Sequence, residues 1–453
     1  MRNSGAWWLS PVAVSLMVAT AAIALTASLS DDRFRALWGS PKSVTGAALL
    51  TMFSGALALA LAAAVVGGLR PLEPPVRRWP GLSSATMERM RRTSSVLVTL
   101  TVVGYLGLLY LMARAGIGPG NVREAADYGA ALPLKDVVGT LPGLTTMTQF
   151  GIAAVIVSSV VLVQQFDKAE VAKICVVVGL AVPRAFLFSE RLAVLELVVP
   201  MVVVPCFGLA LNPRAARYVR LVPVVGVPGC ITVFSTFEYF RSWEFYRGTQ
   251  HSFLRFSTER IAGYYATSVN NGYLKWTHMD WPDRLPGATI DFLWTAPGIS
   301  QLDLYNRWTG HLPGRNGPPT DTDYDALLSQ LGNPEFNNST GYAAPFLDYG
   351  LAGGIVYFLI VGLVAGLLYR GFREGRLLGL LLYPVVFTGL LELPRYIHWA
   401  QGRSFPAWLA LTAVAIILSR AGRTDPDPPM AAPPRRSAAR ALTAAGRYPG
   451  GFQ

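Results

Sequence analysis

EYFRSWEFYRGTQHSFLRFSTERIAGYYATSVNNGYLKWTH, residues Glu238–His278, and GNPEFNNSTGYAAPFLDYGLAGG, residues Gly332–Gly354, open and close one long polar interruption in an otherwise apolar chain. Strongly apolar runs flank it on both sides. A connection of roughly a hundred residues is far above the usual length, and such segments ordinarily carry function. The interruption divides the chain. Residues 1–237 read as seven membrane helices with short loops and 238–346 as a large extracytoplasmic loop. Residues 347–420 read as three more helices and 421–453 as a disordered cytoplasmic tail rich in Pro, Ala and Arg.

Composition supports this reading. Of 453 residues, 52% are hydrophobic and only 15% charged, against about 25% charged in soluble globular domains. Mean hydropathy is +0.38. The net charge of +12 would suggest nucleic acid if it were gathered in one folded domain. It lies instead in short segments between apolar runs, where it encodes topology, so no nucleic-acid partner is expected. The three cysteines, Cys175, Cys206 and Cys230, fall in apolar runs and read as small packing residues.

A run of about 20 apolar residues crosses the hydrocarbon core. Such runs occur at Trp7–Leu29, Val44–Leu69, Ser95–Ala113, Phe150–Val163, Lys173–Phe188, Leu192–Leu211, Leu221–Phe240, Leu347–Tyr369, Leu377–Leu393 and Phe405–Ser419. The expected fold is therefore all-α, a polytopic transmembrane bundle of about ten spans. Arginines at 70, 77, 78, 89, 91 and 92, at 214, 217 and 220, at 370, 373 and 376, and in the tail all fall on one side. By the positive-inside rule that side is the cytoplasm, with both termini. The alternate loops, including Ser30–Ser43, Ser189–Arg191, the long loop and Pro394–Ser404, then face outward.

Charges inside the apolar runs point to a site. In VPRAFLFSERLAVLELVVP, Val182–Pro200, stand Arg184, Glu190, Arg191 and Glu196. A charge at the bilayer centre costs about 3 kcal/mol on insertion scales, so such residues are paired and mark function by default. A tight outward turn at Ser189–Arg191 lets Glu196 meet Arg184 across two helices. That arrangement reads either as an ion pair locking the hairpin or as an anion site at the outer leaflet. The loop adds Arg241, Arg247, Arg255 and Arg260, interleaved with Tyr239, Phe245, Tyr246, Phe253, Phe256, Tyr264 and Tyr265. Guanidinium forks match phosphate oxygens. Aromatic faces suit sugar rings and equally the membrane interface. Asn270, Asn271 and Gly272 form a polar turn signal. No phosphate-loop, HExxH or GxSxG motif occurs, and the four histidines lack metal spacing, so no metal site or cofactor is expected. Asp31–Asp32 is a paired carboxylate that could serve as base or metal ligand, or simply open a solvated loop.

Four segments carry a resemblance: GTLPGLTTMTQFGIAA (Gly139–Ala154), PRAFLFSERLAVLELVVP (Pro183–Pro200), RFSTERIAGYYATSVNNG (Arg255–Gly272) and FLDYGLAGGIVYFLIVGLVAGLLYR (Phe346–Arg370). Together they resemble the O-antigen polymerase, or oligosaccharide repeat-unit polymerase, family of bacterial membrane proteins. The resemblance implies a metal-independent glycosyltransferase that joins repeat units carried on polyprenyl pyrophosphate, on the outer face of the cytoplasmic membrane. It implies membrane lipid, a flippase and a chain-length regulator as partners. The related ligases carry a histidine before the glycine-rich span. Phe336–Thr340 has Asn337 and Asn338 there instead, which favours polymerase over ligase.

On that reading, arginines must stabilise the departing pyrophosphate. Arg184, Arg191, Arg255 and Arg260 are the principal candidates, with Arg241, Tyr264, Asn270 and Asn271 as further substrate contacts. Glu190, Glu196, Glu259 and Asp348 are the candidate bases. Two other readings stay open: a polyprenyl-phosphate-sugar-dependent glycosyltransferase using Asp31–Asp32, and a non-catalytic polysaccharide carrier or flippase.

Overall fold

The structure is a computed structural model that describes residues 5–68, 79, 81–118, 120–121, 137–139, 141, 143–188, 192–248, 250, 252–279, 286–296, 298–302, 304–309 and 321–424. Among these residues every regular element is helical. The principal helices are α1 (Pro11–Ser28), α2 (Asp31–Trp38), α3 (Gly46–Gly68), α4 (Ser84–Arg114), α5 (Phe150–Gln164), α6 (Lys168–Leu187) and α7 (Leu192–Ala210). They continue with α8 (Pro213–Val219), α9 (Val222–Glu238), α10 (Phe253–His278), α11 (Asp321–Leu331), α12 (Ala344–Glu374), α13 (Leu377–Glu392) and α14 (Phe405–Thr424).

Against the ten spans expected, seven helical regions are long and apolar enough to cross a membrane: Pro11–Ser28, Gly46–Gly67, Ser84–Arg114, Thr145–Gln164, Leu192–Ala210, Pro213–Glu238 and Ala344–Glu374. Helices Leu377–Glu392 and Phe405–Ser419 are apolar but shorter. The fifth expected span forms as α6 but is not among the seven; it carries Lys168, Glu170, Lys173 and Arg184. The last helix runs on to Thr424, past the expected boundary at 420; the rest of the tail lies outside the described residues.

The bundle centres on α3 against α12, the most extensive helix pair. Small residues let the two backbones approach. A Cβ on Gly362 would stand 2.2 Å from the Leu59 carbonyl oxygen, and one on Gly366 3.1 Å from Ala63 Cα. Gly350 kinks α12 near its start, at φ 69°, a conformation that side-chain-bearing residues rarely adopt.

The segment expected as one long loop is largely built instead around α10, 26 residues long. Ser252 caps it by accepting from the Arg255 N–H. Its buried positions include polar side chains bonded to backbone carbonyls. Thr267 donates to the Gly263 carbonyl at 2.5 Å and Ser268 to that of Arg395 at 3.1 Å. Helix α2 packs its buried Phe34 and Trp38 beneath α10, and Trp38 Nε1 donates to the Glu259 carbonyl.

The alternating helices give the bundle two chemically distinct ends. One gathers Leu29, Lys42, Asn270, Thr340 and Leu393, tied by Lys42 Nζ to the Leu29 carbonyl at 2.6 Å and Gly341 N to that of Leu393 at 2.9 Å. We call it the loop end. The other gathers Trp8, Trp79, Arg91, Lys173, Val219 and Phe372, tied by the Trp8 and Trp79 indoles to the Val219 and Phe372 carbonyls, both at 3.0 Å. Lys173 Nζ reaches the Arg91 carbonyl there, also at 3.0 Å.

Candidate functional site

At the loop end, Glu196 enters from the first turns of α7 and is 3% exposed. His398 Nε2 stands 3.3 Å from its Oε1, and Arg403 Nε stands 3.5 Å from the same oxygen. Arg184, near the end of α6, adds its positive field to Glu196 and donates to Thr148 Oγ1 at 2.9 Å. Arg184 is thus near enough to act on Glu196 electrostatically, while the expected turn at Ser189–Arg191 lies outside the described residues.

The segment between α13 and α14 folds back over the bundle to complete it. A 3-10 turn at His398–Ala400 buries His398 to 1% exposure, and Ser404 Oγ donates to its carbonyl at 2.7 Å. Among the described residues His398 Nδ1 has no hydrogen-bond partner. A buried polar group left so costs about 1–3 kcal/mol. Arg403 is 35% exposed, so this cluster reaches solvent through it.

From Arg403 a ladder of guanidiniums and rings crosses the loop end. Arg403 and Arg395 both lie over the Tyr396 ring at 5.7 Å, and Arg395 lies over Tyr264 at 5.9 Å. Tyr264 meets Phe336 edge-on at 5.1 Å, and Phe336 lies under Arg260 at 5.1 Å. Each guanidinium has its own carboxylate: Arg395 with Glu392 at 2.8 Å, Arg260 with Glu335 at 2.5 Å and Glu238 at 3.3 Å. Burial alone lowers the Arg260 pKa, but Glu238, Tyr264 and Glu335 outweigh it and raise the value above that of a free arginine. Arg395 behaves likewise, with burial opposed chiefly by Glu392.

The other expected site residues divide clearly. Arg260 is an internal cross-link between α9, α10 and the Glu335 turn, so its charge is already engaged. Arg255 pairs with Glu259 along the exposed face of α10 at 2.8 Å. Asn270 and Asn271 are 0% and 1% exposed. Asn270 accepts from the Ser43 and Val44 N–H groups at 2.7 and 3.0 Å, and Asn271 donates to the Phe336 and Asn338 carbonyls at 2.5 and 3.2 Å. Both brace backbone rather than present an open turn. Asp348 is fully buried and accepts from Ala288 N, Thr289 N and Thr289 Oγ1 at 3.1, 2.8 and 2.6 Å, which ties a loop segment to α12. Its oxygens are committed, which removes it as a free base. Glu190 and Arg191, and the side chain of Arg241, lie outside the described residues. Asp31 and Asp32 occupy the first turn of α2 behind the Ser30 cap, where carboxylates complement the helix dipole.

Sequence reasoning missed Arg395, Tyr396, His398 and Arg403. The available signal was their density in Pro394–Ser404, an expected outward loop between two apolar runs. No family model, curated protein or solved structure matches the chain.

Proposed function

We propose that the chain joins polyprenyl-pyrophosphate-linked oligosaccharide repeat units into a cell-surface polysaccharide, on the outer face of the cytoplasmic membrane. The observation that supports this reading is the cluster of Arg184, Arg403, His398 and Glu196 at the loop end, opposite the arginine-rich end. An acceptor hydroxyl attacks the anomeric carbon of the growing chain, and the bond from that carbon to the pyrophosphate oxygen breaks. The hydroxyl proton passes to the Glu196–His398 pair, a step of the kind general bases accelerate by about 10²–10⁴-fold. The pyrophosphate leaves with added negative charge, which Arg184 and Arg403 stabilise from fixed positions.

Replacing Arg403 or Arg184 by Ala tests the assignment. Losing one such donor costs about 10²–10³-fold in rate, so the lipid-linked repeat unit accumulates while the variant still inserts. Polymer of normal length and amount from both variants would overturn the role. Purified protein that forms no new glycosidic bond from lipid-linked repeat units would instead establish the carrier reading.

A further inference from the structure

We infer that the groove between α9 and α10 holds the hydrocarbon tail of the lipid-linked substrate, an inference that rests on the polymerase reading above. The region Pro213–Glu238 is 6% buried, whereas the other candidate spans are 28–67% buried. It stands at the edge of the bundle and packs against α10 and the turn that follows it. Beside that contact lies an open groove of about 430 Å³, lined by Ile231, Thr232, Thr236, Tyr239, Phe240 and Phe253 among others.

Its lining is more apolar than its sequence. Thr232 and Thr236 donate their hydroxyls to the Pro228 and Thr232 carbonyls one turn back, both at 2.9 Å. That leaves hydrocarbon as the exposed part of these side chains. The groove takes in only the loop-end part of the span, residues 231–236 of 213–238, and the Tyr239–Phe240 turn beyond it. At its head the helix changes to a π turn over Tyr239–Trp243, an irregularity frequent at functional sites. There the Tyr239 ring meets Phe240 and Phe253 edge-on, each at 5.4 Å. Aromatic residues favour the headgroup level. Phe240 in turn meets Phe186 of α6 at 5.8 Å, two residues past Arg184. The apolar path therefore reaches the depth of Arg184, within about 3 Å along α6, from the other side of that helix. A tail lying in the groove brings an attached pyrophosphate to that level, which is the continuity expected of one amphipathic ligand.

The test uses the full chain in lipid nanodiscs and a long-chain polyisoprenyl pyrophosphate carrying a benzophenone in its tail. Irradiation should attach the probe to peptides covering residues 231–257. Unlabelled polyisoprenyl pyrophosphate should compete, and phospholipid should not. Thr236→Trp and Thr232→Trp, which fill the groove, should lower labelling severalfold without changing the thermal unfolding midpoint. Equal labelling by a benzophenone phospholipid, without competition, would show ordinary bilayer lipid there and overturn the inference. Polymer formation at the wild-type rate in both tryptophan variants would also overturn it, and would leave the polymerase reading intact. Competed labelling in a protein that makes no polymer would uphold the groove and defeat that reading.

Discussion

A carboxylate 3% exposed keeps its charge only where cations face it, and Glu196 has Arg403, His398 and Arg184 for that purpose. Removing one partner of such a buried pair costs about 3–5 kcal/mol. Glu196→Ala should therefore lower stability on that scale, read as the unfolding midpoint in detergent. Glu196→Gln keeps the shape and removes the charge. It should fold with a smaller penalty and still fail to extend polymer, and full activity in the Gln variant would remove Glu196 from the chemistry. Asp348 provides the contrast. Asp348→Asn retains an oxygen that can accept from the Ala288–Thr289 turn, so polymer formation should persist. Loss of activity at unchanged stability would return Asp348 to the list of bases. Glu196 was legible as a charge inside an apolar run. His398, Arg395 and Arg403 were not, because polar residues in a short loop are ordinarily solvated. Only the fold-back over the bundle buries His398 and brings Arg403 to Glu196.

At the scale of elements, the apolar spans announced themselves and α10 did not. Its buried positions mix the apolar Phe256, Ala266, Val269 and Leu274 with the polar Ser257, Thr267, Ser268, Asn270 and Asn271. A hydrophobic pattern is blurred where polar side chains that find their partners in other segments are interleaved with the buried apolar ones. Asn270 shows the consequence. It caps the start of α3 from a position 226 residues later in the chain, and Asn270→Ala leaves the Ser43 and Val44 N–H groups short of an acceptor. A loss of about 1–3 kcal/mol is expected, with no sugar-specific effect on substrate affinity. A binding defect without a stability change would instead mean that Asn270 contacts substrate. The glycines of α12 were read as close-packing residues, and Gly362 against the Leu59 carbonyl fits that physics. Gly362→Leu should separate α3 from α12 and destabilise by about 1–3 kcal/mol or more, measured by thermal unfolding. A neutral result would mean that the two helices do not approach as closely as described.

For the whole molecule, the decisive quantity is which end faces out. The arginine-rich end carries Arg91, Arg92, Arg214, Arg217, Arg370, Arg373 and Arg376. The proposed function needs that end in the cytoplasm, as the positive-inside bias expects. Glu196, His398 and Arg403 stand at the opposite end, where a lipid-linked sugar already delivered across the membrane would meet them. Two exposed positions test this, Arg255 at 62% and Arg92 at 78%. With Cys175, Cys206 and Cys230 replaced by Ser, single cysteines at 255 and at 92 should react oppositely with a membrane-impermeant maleimide. In intact spheroplasts position 255 should label and position 92 should stay silent until the membrane is permeabilised. The reverse pattern would put the guanidinium cluster on the cytoplasmic side. No extracytoplasmic donor could reach it there, so one labelling experiment bears on the orientation and on the proposed chemistry together.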